Sequence, residues 1–109
     1  MPLPRPGQPA RGTRTGRPVM VLLDLLGRRW ALRVLWELRD DAQSFRALRG
    51  RCDDMSPSVL NARLRELREA GIVAAVDGAG YALTTDGREL LEALRPLDEW
   101  ARAWARRQR

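Results

Sequence analysis

The chain has 109 residues, room for one domain with a modest core, and its 20 arginines against 14 acids give a net charge of +6 with no lysine. A single cysteine, Cys52, excludes an internal disulfide, and the absence of histidine excludes a Cys/His zinc centre. No apolar run reaches the roughly 18 residues of a membrane span, and no signal peptide is evident, so the expected setting is soluble and cytoplasmic.

Residues 1–16, MPLPRPGQPARGTRTG, are rich in Pro, Gly and Arg and offer almost nothing to bury. They are expected to be a disordered basic tail, with residues 17–109 forming the folded domain. Four arginines and no acid lie in the first 17 residues, so the folded part is close to charge balance and the net charge alone does not locate a partner surface. The tail has a second possible use as an arm adding phosphate or minor-groove contacts to DNA.

From Pro18 the run VMVLLDLLG predicts a helix that is apolar except at Asp24 and ends at Gly27. Such a helix needs cover on more than one side, and a second subunit is a reasonable source. Residues 29–40 place Trp30, Val34 and Leu38 on one stripe with Ala31 and Leu35 beside it, which predicts the central core helix; Trp30 and Trp36 are both expected in the core. A polar break leads to a two-turn helix carrying Phe45, Ala47 and Leu48, with Ser44 as its cap and Arg46, Arg49 and Arg51 on or near its surface.

Residues 56–71, SPSVLNARLRELREAG, carry a complete helix specification. Ser56 caps, Pro57 suits the first helical position, Leu60, Leu64 and Leu67 share one face, and Gly71 closes the helix. The opposite face carries Ser58, Asn61, Ala62 and Arg65, which are small or polar and can enter a DNA groove. Glu66 and Glu69 then turn toward the same outer side, which confines base reading to residues 58–65. Two helices joined by a short turn, the second with a polar outer face, form a helix-turn-helix.

After Gly71 the apolar period drops to about 2: IVAAV and YALT flank the turn residues 77–80 and predict a β-hairpin. A last helix follows from the capping residues Thr84 or Thr85, with Leu90, Leu91, Leu94, Leu97, Trp100 and Trp104 at helical spacing. Pro96 inside it predicts a kink or a break. The apolar stripe extends beyond what one small core needs and points to a partner helix. The fold class is mainly α with a small β-hairpin (α+β), a winged helix-turn-helix with terminal dimerisation helices.

Four stretches in this order, LLDLLGRRWALRVLWEL (22–38), SFRALRG (44–50), SPSVLNARLRELREAGIV (56–73) and YALTTDGRELL (81–91), followed by the Trp100 region, resemble the HxlR family of bacterial transcriptional regulators, which lies near the MarR family. The resemblance covers about residues 18–104. It implies a homodimer bound to a palindromic operator; members of the family repress or activate transcription, and a repressor is expected here. It also implies a dimer interface from the first and last helices: Val19, Leu22, Leu23, Leu26, Leu94, Leu97, Trp100 and Trp104. The family's sensing cysteine, where present, forms a Cys-Pro pair before the first helix; here Arg17 precedes Pro18. The hairpin tip VDGAGY has no basic residue and carries Asp77, so a strong wing contact with DNA is not expected.

The expected DNA contacts are therefore Asn61 and Arg65 to bases, Ala62 to a thymine methyl, Ser56 and Ser58 to base or phosphate, and Arg46 and Arg49 to phosphates. Arg63 lies at the edge of the apolar stripe, where an ion pair and a phosphate contact are equally open. Cys52 reads as a small buried residue; neighbouring arginines favour a redox role for it, while Asp53 and Asp54 oppose one. No cofactor or metal is expected, and the sequence identifies no small-molecule effector. With no His, no Gly-rich phosphate loop and no nucleophile paired to a base, an enzyme is not expected. The alternative is a winged-helix protein-interaction module that has lost specific DNA binding.

Overall fold

The computed structural model describes residues 5–108. The order is α1 (Pro18–Leu26), α2 (Ala31–Glu37), α3 (Phe45–Arg51), α4 (Pro57–Glu69), β1 (Val73–Val76), β2 (Gly80–Leu83) and α5 (Thr85–Arg107). Helix α2 is the hub and touches α1, α3, α4 and α5. Its buried face is the anticipated one: Ala31, Val34, Leu35 and Leu38 are at most 2% exposed and join Leu48, Leu60, Leu64 and Leu67 in the core. The helix is shorter than residues 29–40, because Trp30 adopts a left-handed conformation (φ 75°) and regular helix begins only after it.

Trp36 departs from its expected place. Its side chain is 48% exposed on the face opposite Val34, with the Arg39 guanidinium 4.1 Å from its ring centroid. Five of the seven residues of α2 are apolar or aromatic, all but Arg33 and Glu37, and one side could not hold them all; here Leu32 and Trp36 fall on the side turned toward α5.

Local capping follows the sequence closely. Ser44 accepts from the Ala47 N–H at 3.0 Å, Ser56 from Val59 at 3.4 Å and Thr84 from Gly87 at 3.0 Å. Thr84 also donates to the Gly71 carbonyl at 2.6 Å, so one side chain joins the end of the α4 segment to the start of α5. The strands pair antiparallel in the register Val73 with Leu83 and Val76 with Gly80, which buries the apolar pair at the base of the hairpin. A further pairing was not anticipated. Gln43 and Tyr81 exchange backbone hydrogen bonds of 2.9 and 2.8 Å, so the segment before α3 lies along the hairpin as a third, one-residue strand. Gly80 (φ 93°) makes this approach possible, since a Cβ there would lie 2.1 Å from the Gln43 carbonyl oxygen.

Helix α5 runs through Pro96 for 23 residues, so the expected break does not occur. Proline removes one N–H from the ladder, but the position and its partner Glu92 are exposed, so water can serve the freed carbonyl.

Of the tail, residues 1–4 lie outside the described residues, as does Arg109 at the far end. Residues 5–16 form turns, with Gly7 donating to Gly16 at 2.9 Å and Ala10 and Thr13 exchanging hydrogen bonds of 2.9 and 3.0 Å. Arg11 forms an ion pair with the buried carboxylate of Asp24 in α1 and donates to the Asp24 carbonyl at 3.0 Å. Arg5, Arg14 and Arg17 remain exposed.

Candidate nucleic-acid interface

The site is built on the turn between α3 and α4. Two consecutive non-glycine residues, Asp53 and Asp54, take left-handed conformations there (φ 57° and 53°), a conformation that short carboxylate side chains tolerate better than most. Two arginines hold the turn. Arg49 donates from Nε to the Met55 carbonyl at 2.7 Å and from Nη2 to Asp54 at 3.4 Å. Arg33, reaching from α2, donates to the Arg51 carbonyl at 2.6 Å and to the carboxylates of Asp53 and Glu37 at 3.1 and 2.9 Å. The Glu37 hydrogen bond foremost holds the Arg33 guanidinium more firmly protonated than usual.

Arg49, expected at a phosphate, is thus engaged in shaping the turn. Arg33 was missed altogether, because nothing in local spacing connects α2 to a turn 18 residues further on. Arg63 is likewise turned inward: Nη1 donates to the Arg29 carbonyl at 3.3 Å and Nε lies 2.9 Å from the Glu66 carboxylate. The open choice for Arg63 falls to the ion pair. Glu66 itself was placed on the outer side of α4 and is instead buried, paired with Arg28 and Arg63.

What remains outward is compact. Ser58, Asn61 and Arg65 lie exposed along the N-terminal part of α4, with Ala62 half-buried beside them and exposed Arg46 on α3. Among the described residues, Asn61, Arg65 and Arg46 have no side-chain hydrogen bond or ion pair, which leaves an amide and two guanidiniums available to an incoming acceptor. Ser56 is spent on its cap, and its hydroxyl lies 2.9 Å from that of Ser58. The Asp77 carboxylate sits at the exposed wing tip.

Cys52 ends α3 with no exposed surface. Burial pushes its thiol above the ordinary value of 9.0, Arg33 lowers it less, and Glu37 and Asp53 add to the rise. The folded state therefore favours the protonated thiol; the associated stability is complete below about pH 9 and is lost as pH rises through the higher folded value. Iodoacetamide is expected to label native Cys52 more than about tenfold slower than the urea-unfolded chain near neutral pH. Equal rates would show that the thiol is open to solvent.

The residues expected at a subunit interface divide. Leu26 is a core residue at 5% exposure and Leu22 is half-buried against the core, so neither is a free interface residue. The first of these is a correction: Leu25 and Leu26 both lie in the core, so α1 spends one flank on its own domain. Val19 and Leu23 occupy the other flank and are more than half exposed. On α5, Leu97, Trp100 and Trp104 are exposed and Leu94 is half-buried; the two indoles stack at 6.1 Å with planes 9° apart. Leu94 and Leu97 also line a groove of about 720 Å³ between α2 and α5, together with Leu32, Trp36 and Leu91. Among the described residues, no helix is long and apolar enough to cross a membrane.

A capped helix presenting an amide and a guanidinium, held by a shaped turn and followed by a hairpin wing, defines a winged helix-turn-helix transcriptional regulator that binds DNA. The chain belongs to the HxlR-like helix-turn-helix family, whose model matches residues 25–109. It is 28% identical over 88 residues to YvaP of Bacillus subtilis, an HTH-type transcriptional regulator described as uncharacterised, a match covering 75% of this chain and 82% of that one. It is similar to a possible HxlR family transcriptional factor from Thermoplasma volcanium (27% identity, TM-score 0.70, 82% of this chain and 85% of that one). It is also similar to quinone-bound YodB of B. subtilis (28% identity, TM-score 0.67, 82% and 96%).

Proposed function

We propose that the protein acts as a homodimeric repressor that sets the N-terminal part of α4 from each subunit into the major groove of a palindromic operator. The observation that carries this reading is the exposed row of Ser58, Asn61 and Arg65, in which Asn61 and Arg65 have no side-chain partner among the described residues, on a helix whose leucine face is committed to the core. Asn61 can pair bidentately with adenine and Arg65 with guanine, while Arg46 grips a phosphate and positions the helix without reading sequence. The exposed apolar groups of α1 and α5 supply the contact between subunits. Burial and the raised thiol pKa of Cys52 disfavour a redox role for it, and Arg17 stands where a sensing thiol would precede Pro18.

Anisotropy titrations against DNA upstream of the gene and against random DNA, over a series of salt concentrations, test the reading. Operator binding is expected to weaken steeply with salt, and Arg65→Ala to cost about 1–3 kcal/mol on the operator with relaxed preference at one base pair per half-site. Equal loss on both DNAs would reassign Arg65 to the backbone. Absent or salt-independent binding would favour a protein-interaction module instead. Derepression of a reporter on removing the protein tests the sign of regulation.

A further inference from the structure

Helix α4 is attached to the domain in two physically different ways. Leu60, Leu64 and Leu67 press it onto the core, and this attraction is strong but non-directional. Glu66, on an adjacent flank, accepts a hydrogen bond from Arg28 of the turn between α1 and α2, and lies in ion-pair range of Arg63 on its own helix. Their side chains are only 12%, 19% and 7% exposed, so three ionised groups have been withdrawn from most of their water. Arg63 also reaches the Arg29 carbonyl, giving α4 a second polar bond to the same turn.

A buried ionic cluster of this kind is a poor source of stability, since the loss of hydration offsets most of the attraction, but its geometry is narrow. Directionality matters for reading DNA. With side-chain tips roughly 5–6 Å from the helix axis, turning α4 by about 20° displaces them by roughly 2 Å. That exceeds the roughly 0.5 Å over which a hydrogen bond to a base edge stays good. Arg65 adjoins Glu66 in the chain, so any rotation that Glu66 resists is one that would misalign Arg65.

We propose that Glu66 is a positioning residue for DNA reading: clamped between Arg28 and Arg63, it fixes the rotation of α4 against the α1–α2 turn and so aims Asn61 and Arg65 at base edges. It touches no DNA. This rests on α4 being the reading helix. Because the turn continues directly from α1, the same clamp ties the reading helix to the element that carries Val19 and Leu23.

The test compares operator with random DNA for Glu66→Gln, Arg63→Met and Asn61→Ala, at a temperature where each is folded by circular dichroism. Glu66→Gln keeps shape but removes the charge that the arginines hold, and is expected to lose about tenfold on the operator with less than about twofold change on random DNA. Arg63→Met leaves Glu66 paired with Arg28 and keeps the inference testable if Glu66→Gln fails to fold. It is expected to lower the operator-to-random ratio in the same direction, with an unchanged salt slope. A ratio for the folded variant within about twofold of wild type overturns the proposal. So does a salt slope reduced by about 1 in Arg63→Met, which would make Arg63 a phosphate contact. If Asn61→Ala loses preference while Glu66→Gln keeps it, the positioning role fails alone; if both keep it, α4 is not the reader and the proposed function fails with it.

Discussion

Replacing Trp100 and Trp104 together by glutamate is expected, on the proposed homodimer, to leave a folded monomer whose operator affinity is about 10²–10⁴-fold lower, because the second half-site would no longer bind at high effective concentration. The two rings are 57% and 48% exposed, and Leu97, one turn earlier on the same side, is 59% exposed. Each indole still exposes about half of the roughly 150–250 Å² that a fully buried aromatic side chain covers, and together with Leu97 they form an apolar surface of the kind that marks a contact site. Neither ring belongs to the core cluster, so glutamates there should cost the single subunit little, but four carboxylates brought into one interface would be desolvated together. Sedimentation equilibrium should show the change in mass, and titration of a single half-site should show nearly unchanged affinity. A variant that stays dimeric would move the interface away from the end of α5.

Leu60→Ala is expected to destabilise the domain by about 2–5 kcal/mol, a large share of the roughly 5–15 kcal/mol that holds such domains together. Leu60 has no exposed surface and lies in the core cluster, one residue before Asn61 on the helix that carries it. Removing its branched end leaves a cavity under the reading face that α2 cannot refill, because Val34 and Leu35 are fixed by their own contacts with other core side chains. Urea unfolding followed by circular dichroism measures the loss. A cost below about 1 kcal/mol would mean that α4 settles inward to close the gap, and DNA affinity should then fall as its outer face retreats.

The features legible in the sequence are those decided within three or four residues. Ser44, Ser56 and Thr84 cap the helices they precede because a hydroxyl reaches the N–H three positions on, whatever the rest of the chain does. The leucines of α4 and the apolar stripe of α2 face the core because helical spacing alone puts them together. Glu66 was misplaced for the opposite reason: its partner Arg28 is 38 residues away, and a helical wheel has no information about what stands beside it. Trp36 was assigned to the core by its chemistry, although α2 carries more apolar side chains than its buried side can hold. The outward row of Ser58, Asn61 and Arg65 was legible because a polar face opposite a leucine stripe leaves little choice. Arg49 and Arg63 were read by charge, and charge does not tell an arginine that bonds carbonyls within its own domain from one that waits for a phosphate.

The backbone exchange between Gln43 and Tyr81 bears on how the domain opens. Its two hydrogen bonds join the stem of the wing to the residue just before Ser44, which caps α3. Fraying of the hairpin must therefore release the lead-in to the helix-turn-helix, and loss of that lead-in must free an edge of the hairpin. The amide protons of Gln43 and Tyr81 then belong to one cooperative opening unit and exchange with solvent together. An acidic, short wing, not expected to make a strong DNA contact, still has work in this arrangement, as the brace against which α3 is set.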